Sequence, residues 1–400
     1  MYMFALRHPT AWYFGCIVSL IALLLPATTL AQSGTDKTIT LRASVDLTHN
    51  DNFQQSPASA QESEQISSQM LGIKLAIPVS LQRFELDADI TNNTHKNFKG
   101  FDYIGQNYKA AWQWSVTPQL YGSLFLSRAD TLNAIQDSLD PNLRNKNTTT
   151  SGGLAVNYGL AGRWQLLGSV FKSNSSNEQA LLGTGDSDST SAAAGFRYML
   201  GSGSTLGYIL RYDNGTSHAA DANAVDTSSS FTGVNHDFSL AWKLSADSDL
   251  EVHLLHLSNR YASVPEFDFS GLGTSVKLSH RFTDKTSVSA SWARALASNQ
   301  TDTSIYTETD TFSLSPSWAI TPKTSLNLKY SVAQRRDKGS PTDVSSNRTD
   351  TTHNASLGLS WAPRPFATLS ANLAWTRQTS SLPDLDYVVK KSTVKALFTF

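Results

Sequence analysis

Ser392-Thr393-Val394-Lys395-Ala396-Leu397-Phe398-Thr399-Phe400 closes the sequence. In an extended chain Val394, Ala396, Phe398 and Phe400 fall on one side, and Thr393, Lys395 and Thr399 on the other. One face is apolar, the other polar, and no loop follows. Alone, the stretch suits an edge strand of a soluble sheet as well as a strand of a membrane barrel. The rest of the sequence separates the two.

The same alternation recurs upstream. Ile39, Leu41, Ala43, Val45 and Leu47 alternate with Thr40, Arg42, Ser44 and Asp46. Phe84, Leu86, Ala88 and Ile90 alternate with Arg83, Glu85, Asp87 and Asp89. From Lys37 onward about 18 such segments follow, each roughly 10 to 12 residues, the length a tilted membrane strand needs. Their connections alternate in length. Short turns stand at 78–80, 115–118, 159–162, 201–204, 245–248, 283–285, 320–323 and 362–366. Long polar stretches stand at 50–65, 92–100, 130–147, 173–188, 213–230, 259–267, 298–306, 337–349 and 379–387. A soluble sandwich has no reason to sort its loops this way, whereas short periplasmic turns and long extracellular loops do. Trp112, Trp114, Trp164, Trp318, Trp361 and Phe366 sit near short turns, as interfacial rings do. The pattern predicts an all-β fold: a transmembrane antiparallel up-and-down β-barrel of about 18 strands with both termini on the periplasmic side.

Composition agrees. Of 400 residues 16% are charged, against about 25% in an ordinary soluble domain. No apolar run after the leader reaches the roughly 18 residues of a membrane helix. A net charge of -1 with scattered basic residues excludes nucleic acid as a partner. Residues 1–31 read as a signal peptide: Arg7 and His8, the apolar core Trp12 to Leu25, then small residues. Cleavage is expected between Ala31 and Gln32, leaving a barrel over 32–400. The single cysteine, Cys16, lies within the leader.

The polar sides of the strands are expected to face a lumen. Arg83, Glu85, Asp87, Asp89, Lys109, Arg197, Arg211 and Lys329 are the candidate lumen-facing charges, and Tyr121, Phe125 and Phe171 the inward aromatics. Three acids on one side of 83–89 repel unless answered. They form either a selectivity stripe or a ladder paired to lysines on the next strands, and the paired ladder is expected. The stretch 130–147 is the expected constriction, and its Asn, Asp and Ser content suits a solvated surface loop equally. Chemistry is not expected. Glu251 and His253 point inward and His256 outward, so the three cannot share a metal. Gly271-Leu272-Gly273 lacks the third glycine of a nucleotide fingerprint. No catalytic residue, metal or cofactor is assigned, and the chain is read as a non-enzyme.

Several stretches carry a resemblance. They are Ser80-Leu81-Gln82-Arg83-Phe84-Glu85-Leu86, Asn107-Tyr108-Lys109-Ala110-Ala111-Trp112-Gln113-Trp114, Asp268-Phe269-Ser270-Gly271-Leu272, and Pro316-Ser317-Trp318-Ala319-Ile320-Thr321-Pro322-Lys323-Thr324-Ser325-Leu326. In order and spacing, with the terminal Phe398-Thr399-Phe400, they resemble the exosortase (XrtB/PEP-CTERM)-associated exopolysaccharide outer-membrane proteins of the EpsL type. The terminal strand is similar to the assembly address of outer-membrane barrels, with Phe398 and Phe400 as its signal. The resemblance implies a Gram-negative outer-membrane protein in exopolysaccharide production and export. It implies outer-membrane lipid, exopolysaccharide, the barrel-assembly machinery and a periplasmic or export-lipoprotein partner. A general or sugar-type diffusion porin and a structural surface anchor for polysaccharide remain open beside it.

Overall fold

Alternation at a period of two carries through the chain as strand after strand. The computed structural model describes residues 38–133, 144–160, 162–179, 186–220, 226–301, 304–339, 348–383 and 385–400. The expected leader and its Ala31/Gln32 cleavage pair lie outside them. The first nine strands are β1 Ile39–Asn50, β2 Glu64–Val79, β3 Gln82–His95, β4 Tyr103–Ser115, β5 Leu120–Leu132, β6 Lys146–Gly159, β7 Trp164–Asn177, β8 Ser187–Met199 and β9 Thr205–Ala220. The rest are β10 Asp226–Ser245, β11 Ser248–Tyr261, β12 Phe269–Thr283, β13 Thr286–Thr301, β14 Ser304–Thr321, β15 Thr324–Lys338, β16 Thr349–Arg364, β17 Ala367–Ser380 and β18 Tyr387–Thr399.

Each strand pairs antiparallel with its neighbour in sequence, and β1 pairs with β18 to close the sheet. At the seam Val45 faces Ala396 and Leu47 faces Val394. Leu41 and Phe400 exchange backbone hydrogen bonds of 3.1 and 2.9 Å. The closing strand is thus the one that carries the Val394, Ala396 and Phe398 face. The result is a closed 18-stranded antiparallel barrel.

Two long connections expected from composition are mostly strand. Over 213–230, β9 continues to Ala220 and β10 begins at Asp226, with Ala220 paired to Asp226. Over 298–306, Thr301 already pairs with Ser304. Strands therefore run from 12 residues in β1 to 20 in β10, longer than a membrane crossing alone requires. Beyond the membrane both faces meet water, so the apolar half of the alternation disappears. The hydrogen-bonded ladder does not depend on it, and Thr-rich sequence still favours pairing.

The apolar face is exposed. Leu47 is 59% accessible, Val394 62% and Leu272 65%. Such a band around a whole molecule is a liability in water and a requirement in lipid. At its short-turn edge Trp112 stacks on Phe84 at 6.0 Å, Trp164 meets Tyr198 at 4.8 Å and Phe366 stacks on Phe400 at 6.3 Å. Amphipathic rings at this level suit the boundary between headgroups and acyl chains. Among the described residues no helix is long and apolar enough to cross a membrane.

Candidate functional site in the lumen

Side chains on strands two apart converge over the strand between them only on the concave side of a curved sheet. Arg42 on β1 reaches Asp87 on β3 over β2. Phe125 on β5 stacks on Phe171 on β7 over β6, at 6.0 Å and 29°. Gln165 Nε2 on β7 donates to the Tyr121 hydroxyl on β5, also over β6, at 3.4 Å. All six residues alternate with the apolar band. The polar face is therefore the inner one.

By the same alternation Arg83, Glu85, Asp87, Asp89, Lys109, Arg197, Arg211 and Lys329 lie on the lumen side. The acids are answered. Glu85 accepts from Arg83 Nε at 2.7 Å and from Gln113 Nε2 at 3.0 Å. Asp87 is held by Arg42, and Asp89 accepts from Asn107 Nδ2 at 2.9 Å. Arg211 pairs with Asp213 at 3.1 Å. Three of the eight are left over: among the described residues no carboxylate stands within ion-pair distance of Lys109, Arg197 or Lys329. Glu85 and Asp87 are thus paired to arginines, not to lysines of the next strands, while Asp89 is hydrogen-bonded by a neutral amide and keeps its charge.

Register brings a row of side chains round the inner wall. Phe125, Gly153, Phe171, Ser191, Asp213, Gly233, Asn259 and Phe269 face one another in turn from β5 to β12. Gly153 is what lets the two phenylalanines meet: a Cβ there would stand 3.0 Å from Phe125 Cε1 and 2.9 Å from the Val170 carbonyl. Asp213 accepts from the Ser191 hydroxyl, the Asn235 amide and Arg211. The wall thus offers flat rings, then a dense hydrogen-bonding cluster. Phe125, Phe171 and Tyr121 were legible in the sequence; Phe231, Tyr261 and Phe269 were not, and although alternation puts them on the same side, Tyr261 and Phe269 are buried, with the Tyr261 hydroxyl on Ser298 at 2.8 Å. Phe231 lies 5.9 Å from Tyr261, and Phe269 stacks on Tyr306 at 5.1 Å. Assigning 213–230 and 259–267 to loops cut the alternation short before it reached the first two. Among the described residues no three metal-ligating side chains converge.

At the loop end the connections after β1 and β3 form a packed cap. Phe53 meets Phe98, Phe101 and His95 at 5.0, 5.2 and 5.3 Å. Beneath them Glu64 is fully buried. Its carboxylate accepts backbone N–H groups from Gln65, Lys96, Asn97 and Phe98 at 2.6 to 3.1 Å. Glu64 lies seven positions beyond Leu71, the last apolar-band residue of β2, roughly 20 Å along the strand and outside the membrane. Burial pushes its pKa up, but the four backbone donors together outweigh it and hold the carboxyl below the usual range. His95 is lowered by burial, partly offset by its 3.3 Å contact with Asp102. Asn52, also buried, donates to the Val388 carbonyl at 3.0 Å and ties the cap to β18. Of the expected constriction at 130–147, residues 134–143 lie outside the described residues.

No family model matches the chain, and no curated protein matches it. Solved structures do. The outer membrane protein OpdK from Pseudomonas aeruginosa aligns over 90% of this chain and 99% of its own, with a TM-score of 0.52 and 11% identity. The likeness is one of fold. Pseudomonas aeruginosa OpdL aligns over 91% and 98%, with a TM-score of 0.52 and 12% identity. OccK2 (OpdF) from the same organism, solved in complex with glucuronate, aligns over 91% and 98%, with a TM-score of 0.51 and 12% identity. The chain has the fold of outer-membrane β-barrels, and at this identity nothing about its solute follows.

Proposed function

We propose that this barrel lies in the outer membrane of a Gram-negative cell and forms, or assists, an exit route for exopolysaccharide. The observation that carries the reading is the inner row built on Phe125, Phe171 and Asp213. A pyranose ring has an apolar face of C–H bonds and a rim of hydroxyls. Flat rings on a low wall accept the first, and the Asp213 cluster with Asn259 accepts the second. The unanswered Lys109, Arg197 and Lys329 suit carboxylates on an acidic polymer. That OccK2 was solved with an acidic sugar is consistent with a barrel of this fold admitting one. The resemblance to EpsL-type proteins supports the same reading and adds a periplasmic or export-lipoprotein partner that delivers the polymer.

The second reading, a diffusion porin, is favoured by the same free cations, which draw small anions as readily as polymer. Deletion of the gene, followed by assay of exopolysaccharide in medium, cell surface and periplasm, separates the readings. Polymer held in the periplasm is expected, and the Phe125→Ala/Phe171→Ala double variant should reproduce that retention in part. Polymer released but no longer attached would favour a surface anchor. An unchanged distribution would overturn both and leave the porin, whose mark is conductance by the purified protein alone.

A further inference from the structure

The apolar face carries a groove of about 840 Å³ across β14 to β18 and β1. Leu314, Leu328, Tyr330, Leu357, Leu373 and Trp375 wall it. It exists because small residues stand between large ones: Ala355 separates Tyr330 from Trp375 in register, and Ser392 faces Leu373. On a lipid-facing wall acyl chains enter any such groove, so the apolar lining alone names no occupant.

The charge at its loop end does. Lys390 lies in register with Trp375, and one row further out Arg377 faces His353. His49 lines the groove beside them. All four fall on the side of the apolar band, where the alternation otherwise calls for hydrocarbon. Among the described residues no carboxylate pairs with Lys390 or Arg377. Asp51 is the one acid in the lining, and its Oδ1 accepts the backbone N–H of Lys390 at 2.7 Å. A basic cluster capping an apolar groove at headgroup level complements an anionic lipid.

We propose that the groove holds one phosphorylated lipid of the loop-side leaflet. An acyl chain lies against Leu328, Leu357 and Leu373, and the phosphate sits on Lys390 and Arg377. The site needs only that the barrel spans a membrane and is independent of what passes through the lumen.

The test uses the full-length barrel in phosphatidylcholine nanodiscs, titrated with diphosphorylated lipid A and read by native mass spectrometry. One lipid A retained per barrel is expected, with at least about tenfold weaker retention of the dephosphorylated form. Lys390→Ala/Arg377→Ala should weaken retention similarly. Ala355→Trp, which fills the groove and leaves the charges, should also lose it. Heat-modifiable migration on a gel reports that each variant is folded, and the comparison of phosphorylated with dephosphorylated lipid needs no variant. Equal retention of both lipids by the wild type, or of lipid A by wild type and folded variants, would overturn the site. So would a second copy of the barrel occupying the groove in place of lipid.

Discussion

Gly72 faces Arg42 and Asp89 in register, and the Arg42 guanidinium fills the space beside it. A Cβ at Gly72 would stand 3.2 Å from that guanidinium and 3.2 Å from the Ala88 carbonyl. The missing side chain is what lets Arg42 cross β2 to reach Asp87. Neither partner is deeply buried, so the pair contributes about 1 kcal/mol or less to stability. Its larger effect is on the lumen field, since it cancels one acid of the 83–89 ladder. Arg42→Ala should move the reversal potential of a single barrel, recorded in a planar bilayer under a salt gradient, towards cations. An unmoved potential would mean that the ladder does not border the conducting path. The ladder itself was legible in the sequence, because alternation puts Glu85, Asp87 and Asp89 on one side. Its partner was not. Arg42 lies 45 residues away, and its contact appears only when the register of three strands is known.

The connections after β1 and β3 behave as one element because Glu64 holds them. Glu64→Gln keeps the size but replaces a carboxylate acceptor for four backbone donors by an amide. A loss of roughly 2 kcal/mol of local stability is expected, seen as faster hydrogen exchange at residues 96–98. Acid should do the same without mutation. The folded pKa of Glu64 is depressed, so its contribution is full above the ordinary carboxylate range and is lost as pH falls through the lower folded value. His95 is depressed as well, so its buried neutral ring begins to cost stability once pH drops below about 6.5. The two act in one direction: the cap should be tight at neutral pH, loosen below about 6.5 and open further in the carboxylate range. Limited proteolysis across pH measures this, and equal cleavage at pH 7 and pH 4 would refute it. Nothing in the sequence marked this cap. Glu64 stands in a polar stretch, and four backbone donors from another connection leave no trace in side-chain pattern. The extended ends of β9, β10, β13 and β14 were hidden for a related reason. Thr and Ser pair through their backbones whether or not one face is greasy.

The whole molecule was the most legible scale. Long and short connections in strict alternation gave the strand count, and the final apolar face gave the closing strand. What fills the lumen needed the register, because rows such as Phe125 to Phe269 collect residues from eight strands. At this scale the prediction concerns closure. Phe400 stacks on Phe366 and exchanges two backbone hydrogen bonds with Leu41. Phe400→Ala removes the ring but keeps the ladder, so a loss of about 1 kcal/mol is expected in the finished barrel. The larger effect should be on formation, read as slower appearance of the heat-modifiable folded band in a pulse-chase. A folded band arriving at the wild-type rate would count against any role for that ring. The seam joining β1 to β18 has one more implication. The contact spans nearly the full sequence, so it forms among the last. Until it does, the sheet has two raw edges, and a barrel lacking one strand is no better protected than a barrel lacking nine. Each open edge is a template for the opposite edge of another copy, and such head-to-tail pairing never terminates. For this chain, completion is the difference between a closed ring and a growing polymer.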